Sequence, residues 1–156
     1  MIVKEITNID DIKTILCHPE IYDCITTDES GDSESYDIPI NDIYLYVGGY
    51  VKGEIIAVMV YHDFRDGLEL HIQVLPNFRN EYALEFGERG MMFRGRKPLY
   101  ATIPDLYKNI LDYALSFGFE VIERIESTET KNGKTFIDNV LKYKEVNTVT
   151  ALKGGG

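Results

Sequence analysis

Cysteine is scarce in this chain: Cys17 and Cys24 are the only two among 156 residues, and no Cys/His set has the spacing of zinc ligands. Neither a disulfide framework nor a zinc module is therefore expected, and no bound metal. The expectation is reduced thiols in a cytoplasmic protein, one or both partly buried. No apolar run approaches the roughly 18–20 residues that cross a bilayer, and no signal peptide opens the sequence, so a membrane partner is not expected. Internal repeats are lacking too. With 44% hydrophobic residues, the chain can bury a core of its own. A single domain is expected over residues 1–153, with 154–156 as a glycine tail.

Positive charge is also in short supply, and unevenly placed. The formal net charge is −10. Between Met1 and Leu45 acids such as Asp10, Asp11, Asp28, Glu29 and Asp32 face only Lys4 and Lys13. From Arg79 to Lys108 the balance reverses, with Arg79, Arg89, Arg94, Arg96, Lys97 and Lys108 outnumbering Glu81, Glu85, Glu88 and Asp105. A basic island on an acidic chain suits a small polyanion. A nucleic acid would be repelled by most of the surface. The alternative is that these bases are merely solvated.

The stretch Gly67–Gly95 organises the rest. Leu68, Leu70, Ile72 and Val74 alternate with Glu69, His71 and Gln73, the period of a strand with one apolar face. Pro76 ends that strand. Arg79, Asn80 and Glu81 open a helix whose inner stripe is Tyr82, Ala83, Phe86, Gly87 and Gly90, small enough to lie close to a sheet. A helix N-terminus beside a strand end, flanked by arginine, offers free N–H groups and a favourable dipole to an anion.

Around this centre, Ile2–Ile6 predicts a strand, Asn8 caps a helix with Ile9, Ile12, Ile15 and Leu16 inside, and residues 18–25 form a second short helix. Residues 27–42 form an acidic loop, either a solvated surface or the rim of a cleft. Ile43–Tyr50 and Glu54–His62 make a hairpin about Val51–Gly53, and Asp63–Gly67 is a turn. After Pro98, LYATI is a strand; Pro104 begins a helix carrying Leu106, Ile110, Tyr113, Ala114 and Phe117, stopped by Gly118. Phe119–Ile125 is a strand, Asn132-Gly133 a hairpin turn, and Thr135–Leu152 returns as a strand with a helical turn near Ile137–Leu141. The fold class is α/β (α+β mixed): a twisted, mixed central sheet of six to seven strands with helices on both faces.

This order resembles the GNAT acyltransferases. Val74-Leu75-Pro76-Asn77-Phe78-Arg79 is similar to the family's strand-end motif leading into the acyl-CoA loop. Ile103-Pro104, with Phe117-Gly118-Phe119 further on, resembles its second CoA segment, and Ile43–His62 its usual hairpin. Cys17-His18-Pro19-Glu20-Ile21-Tyr22, followed by Thr27-Asp28-Glu29, is similar to a pattern in GNAT-like proteins of tailed bacteriophages. The chain departs from the family where Tyr82 and Leu84 replace the small residues of the pyrophosphate loop, Tyr107 replaces an asparagine, and Ala114 stands where a tyrosine serves as acid.

The resemblance implies a GNAT-like fold and acetyl-CoA as cosubstrate, held by Val74, Arg79, Asn80, Glu81, Tyr82, Ala83 and Lys108. It implies acetyl transfer to a small-molecule or protein amine, with the Val74 amide polarising the thioester carbonyl. The base would be His71, or Glu69 if burial raised its pKa, and the acid Tyr113 or Tyr107. A nearby Glu69 would raise the pKa of His71 by favouring its charged form. Each of these side chains can also be simple packing. The acidic flank suits a cationic acceptor. Two other readings stand beside this one. The first is an inactive GNAT-fold module of phage assembly, partnered by itself or by phage structural proteins, in the host cytoplasm or virion. The second is an acidic inhibitor of a host nucleic-acid-binding protein, with residues 23–42 as a charge mimic.

Overall fold

The protein is described here from a computed structural model, and the residues described are 1–144. Seven strands form one sheet: β1 (Ile2–Glu5), β2 (Leu45–Val51), β3 (Glu54–Phe64), β4 (Gly67–Val74), β5 (Leu99–Pro104), β6 (Phe119–Lys131) and β7 (Lys134–Tyr143). Their spatial order is β1-β2-β3-β4-β5-β7-β6. All pairs are antiparallel except β4–β5, so the sheet is mixed. The turn chemistry is local. Lys52 and Gly53 both adopt positive φ (52° and 81°), as do Asn132 and Gly133 (52° and 76°). That is the backbone of the two-residue turn whose twist matches the strands it joins.

Helices α1 (Ile9–Leu16) and α2 (Pro19–Ile25) cover one face of the sheet, and α3 (Arg79–Met91) and α4 (Lys108–Ser116) the other. Asn8 caps α1 by accepting from the Asp10 amide at 2.9 Å, and Ile12, Ile15 and Leu16 go inward. Those residues join Ile21, Tyr46, Val58 and Val60 in one apolar layer. The opposite layer gathers Met59, Tyr61, Leu70, Val74, Phe86, Leu99 and Leu141. Two glycines let α3 lie close: a Cβ at Gly90 would stand 2.5 Å from Met59 Cε, and one at Gly87 2.5 Å from Phe117 Cζ.

Several boundaries differ from expectation. Pro104 closes β5 and does not begin a helix; α4 starts at Lys108, and Leu106 lies exposed outside it. A proline is tolerated at a strand end, and the next amide, Asp105 N–H, still donates to Ile137 O at 2.8 Å. No helical turn interrupts Ile137–Leu141, because that segment is β7, paired on both sides by β5 and β6. β6 continues past Ile125 to Lys131, and β2 begins at Leu45, with Ile43 in the preceding turn. The part of the expected last strand beyond residue 144, and the tail, lie outside the described residues.

Candidate active site

β4 and β5 pair at Leu68–Leu99 and Glu69–Tyr100 and then part. Backbone direction alternates along a strand. Leu68 N–H donates to Pro98 O on the β5 side, whereas Leu75 N–H donates to Ile56 O on the β3 side. The even-numbered amides of β4 therefore face the gap, and Val74 N–H points into it. The Val74 carbonyl, on the same side, accepts from Arg79 Nε at 3.0 Å. No side chain caps the N-terminus of α3, which begins beside the cleft at Arg79 and Asn80; the Arg79 N–H donates back to Pro76 O.

The resulting cleft has a volume of about 480 Å³ and is lined in part by Gln73, Val74, Arg79, Asn80, Ala83, Ile110 and Tyr113. Four of the residues expected to hold a cofactor, Val74, Arg79, Asn80 and Ala83, thus share one wall. Glu81 and Tyr82 belong to the same helical turn but do not line the cleft. Lys108 stands apart, exposed and paired with Asp112 at 3.0 Å. Tyr113 borders the cleft, and its hydroxyl donates to Ala83 O at 2.7 Å. Burial pushes its pKa up to about 12. Tyr107 precedes α4 and is absent from that wall.

The sheet's other face carries a second hollow, about 230 Å³, walled by Tyr36, Tyr44, Tyr46, His62, His71 and Gln73 among others. Tyr36 and Pro39 come from the acidic loop, so part of that loop is the rim of a pocket. Its start is clamped elsewhere: Asp28 accepts from the amides of Asn132 and Gly133, each at 2.9 Å, and from the Thr130 hydroxyl at 2.8 Å. These donors hold the Asp28 carboxyl below its ordinary value, Gly133 foremost. The basic island is not one patch. Arg89 donates to Met1 O and Arg94 to Lys97 O, which leaves Arg79 as the guanidinium on the cleft wall.

His71 lines the second hollow and also a smaller cavity of about 100 Å³ between β4 and β5, bounded by Ile72, Gln73, Ala101, Ile103 and Tyr113, and the register gives it a partner. Phe64 pairs with Gly67 across the turn, so His62 of β3 sits directly opposite Glu69. His62, Glu69 and His71 then share one face. His62 Nε2 and His71 Nε2 are 3.0 Å apart, and the imidazoles stack at 5.1 Å between centroids. Glu69 Oε2 lies 3.7 Å from His62 Nε2 and Oε1 3.6 Å from His71 Nε2. His62 Nδ1 is 3.0 Å from Asp63 O, a group that only accepts, so that nitrogen carries the proton. Neutral His62 is then an acceptor at Nε2, His71 donates from its own Nε2, and the lone pair of His71 is on Nδ1. Desolvation holds the His71 pKa below its ordinary value; Glu69 pulls it up and His62 pushes it down. The expected lift from Glu69 is present, and burial outweighs it.

His62 is the site residue the sequence did not disclose. A turn expected over Asp63–Gly67 hides the pairing; the loop is in fact Arg65–Asp66, and Arg65 at φ 49° makes it that short. Cys17 and Cys24 are both free and half-buried.

No protein-family model matches the sequence, and no curated protein resembles it in sequence. Solved structures do resemble the fold. A GNAT-family acetyltransferase from Streptococcus pneumoniae superposes with a TM-score of 0.69 at 13% identity, over 90% of this chain and 97% of that one. The ribosomal-protein-alanine N-acetyltransferase of Brucella melitensis gives 0.66 at 15% identity, over 93% and 100%. The yncA protein of Salmonella typhimurium, solved with its cofactor acetyl-CoA, gives 0.68 at 15% identity, over 92% and 93%. These likenesses establish a GNAT-like fold. None of the three is a phage protein.

Proposed function

We propose that this protein transfers an acetyl group from acetyl-CoA to an amine. The observation that carries the reading is the gap where β4 and β5 part: the cleft there brings Arg79, the start of α3 and Val74 together, and His71 lies three residues back along the same strand. A diphosphate fits the mouth, where the guanidinium and the first amides of α3 converge. A hollow of about 480 Å³ is within the range that holds a ligand of this class, with the acyl arm lying between the strands. Acetyl-CoA supplies an activated thioester; the chain's own groups do the rest.

Val74 N–H points where a carbonyl laid along β4 would need a donor, and a fixed donor there stabilises the developing oxyanion. The acceptor enters from the tyrosine-walled pocket, whose aromatic faces suit a cationic amine. Such an amine must shed a proton before attack. A neutral imidazole at His71 takes it on Nδ1, while His62 Nε2 accepts from the Nε2 side and the nearby Glu69 carboxylate favours the charge that forms. The amine nitrogen bonds to the carbonyl carbon, the carbon–sulfur bond breaks, and the thiolate gains a proton from solvent in exchange with His71. Tyr113 is not the acid: its hydroxyl proton is held by Ala83 O at 2.7 Å, and a phenol near 12 does not protonate a thiolate that titrates at about 8.5.

The test is thiol release from acetyl-CoA with a panel of polyamines, lysine peptides and amino sugars. Wild type is expected to turn over at least one of them, and His71→Gln to lose on the order of 10²–10⁴ in rate. A variant within twofold of wild type removes His71 from the reaction; silence across the panel, with tight acetyl-CoA binding, removes transfer to amines of these classes.

A further inference from the structure

We infer that His62, Glu69 and His71 form a binding site for one divalent transition-metal ion, zinc above all. The inference is independent of acyl transfer: a chain that binds zinc and transfers nothing would still fulfil it.

Three observations converge. The first is spacing. The two Nε2 atoms lie 3.0 Å apart, Glu69 Oε2 is 3.7 Å from that of His62 and Oε1 3.6 Å from that of His71, and one ligand atom from each residue falls within 4.8 Å of the other two. In a tetrahedral zinc centre with bonds of about 2.0–2.1 Å, neighbouring ligand atoms are about 3.3 Å apart, a value these distances bracket. The carboxylate–imidazole separations are too long for direct hydrogen bonds, yet suited to ligands facing each other across an ion.

The second is the state of Glu69. It is 7% exposed, and among the described residues its ionic partners are the two imidazoles alone. A cation between this carboxylate and the rings would be sheltered from water and faced by an oxygen ligand that no lysine or arginine of the described residues occupies.

The third is orientation. Histidine ligands typically donate their other ring N–H to a carbonyl or carboxylate, which fixes the tautomer and aims the lone pair at the metal. His62 does this through Nδ1 and Asp63 O. One proton, on His71 Nε2, now bridges two nitrogens. An ion in its place would receive a lone pair from each ring and one from Glu69, with His71 moving its proton to Nδ1. Two imidazoles with one carboxylate favour zinc, copper, nickel or iron over magnesium and calcium. Three protein ligands leave a fourth, exchangeable position, and the pocket bounded by Tyr36, Tyr44 and Tyr46 is where it opens.

The experiment is titration of the EDTA-stripped, dialysed full chain with Zn²⁺ against a chromophoric chelator, with Mg²⁺ as control and Co²⁺ for its tetrahedral absorption bands. The inference expects one Zn²⁺ per chain with a Kd of about 1 µM or below, no Mg²⁺ binding, and loss on the order of a hundredfold in Glu69→Gln and His62→Gln. Should the buried Glu69 variant fail to fold, His71→Gln, at the most exposed position of the three, gives the same reading. Wild-type binding weaker than roughly 100 µM overturns the site. Unchanged affinity in the folded variants does so too, and assigns any bound zinc to other groups.

Discussion

Replacing Arg79 with alanine removes two contacts at once, and the geometry separates them. One is internal: Arg79 Nε donates to Val74 O at 3.0 Å and braces the end of β4. Hydrogen bonds from charged groups contribute about 1.5–3 kcal/mol when sheltered. Arg79 is exposed, so screening reduces this to about 0.5–1 kcal/mol. For a chain of this size that is a melting shift of about 1–4 °C. The other contact is with ligand: the two outer guanidinium nitrogens remain for a phosphate, worth about 1.5–3 kcal/mol or roughly ten- to a hundredfold in Kd. Calorimetric titration with acetyl-CoA reads the second effect. Titration with S-acetylpantetheine, which lacks the diphosphate, serves as control and is expected to show no difference between variant and wild type. Equal acetyl-CoA affinity in the two proteins would place the anion elsewhere. An equal loss for both ligands would show that Arg79 acts only by bracing β4.

Three further outcomes follow from packing and charge. Leu70→Asp buries an unpaired carboxylate at a position 4% exposed, a cost of several kcal/mol that should leave no cooperative melting transition; Ile72, half-buried on the cleft wall, tolerates the same change better. Gly87→Ala places a methyl 2.5 Å from Phe117 Cζ and 3.1 Å from Tyr113 Oη. Overpacking of about 1–3 kcal/mol against about 1 kcal/mol of gained helix propensity predicts a net loss, measured by denaturant midpoint, and any gain in stability would contradict this helix placement. Asp28, its pKa lowered by Gly133, Thr130 and Asn132, stabilises the fold above its ordinary pKa of 3.8, and that contribution is lost as pH falls through the lower folded value. Asp28→Asn should therefore flatten the acid limb of stability between about pH 5 and 2, and an unchanged limb would detach this carboxylate from the clamp.

Much of the architecture was legible because it is written locally. The alternation around Leu70 and Val74, the break at Pro76 and the apolar stripe of Phe86, Gly87 and Gly90 each lie within a dozen residues, and each was recoverable from period alone. Arg79 was expected there from its place at the start of a helix, and Val74 from the resemblance; both line the cleft. His62 was not recoverable in this way. Its partnership with Glu69 and His71 depends on the hairpin register, and a one-residue slip would turn it to the opposite face. Pro104 misled because proline suits both the first turn of a helix and the last position of a strand. What decides between them is β7, more than thirty residues further on, whose Asp138 pairs with it. Ile137 and Leu141 are spaced as on a helix, yet they lie in a strand flanked on both sides, where both faces are covered and alternation fades.

The clamp on Asp28 also bears on the order in which the molecule can be made. Its bonds to Asn132 and Gly133 join residues 104 and 105 positions apart. No partner for that carboxylate exists until the β6–β7 hairpin has formed and docked. Closing so long a loop costs entropy that only the finished sheet returns. The segment that follows, carrying Tyr36 and Pro39 to the pocket, has earlier holds as well: the Tyr22 hydroxyl lies 3.1 and 2.9 Å from Gly31 O and Asp32 O, and the Tyr46 hydroxyl donates to Pro39 O at 2.7 Å. The pocket wall is thus drawn from the beginning of the chain and pinned at one edge by its end. A nascent chain released before β7 would lack that last pin.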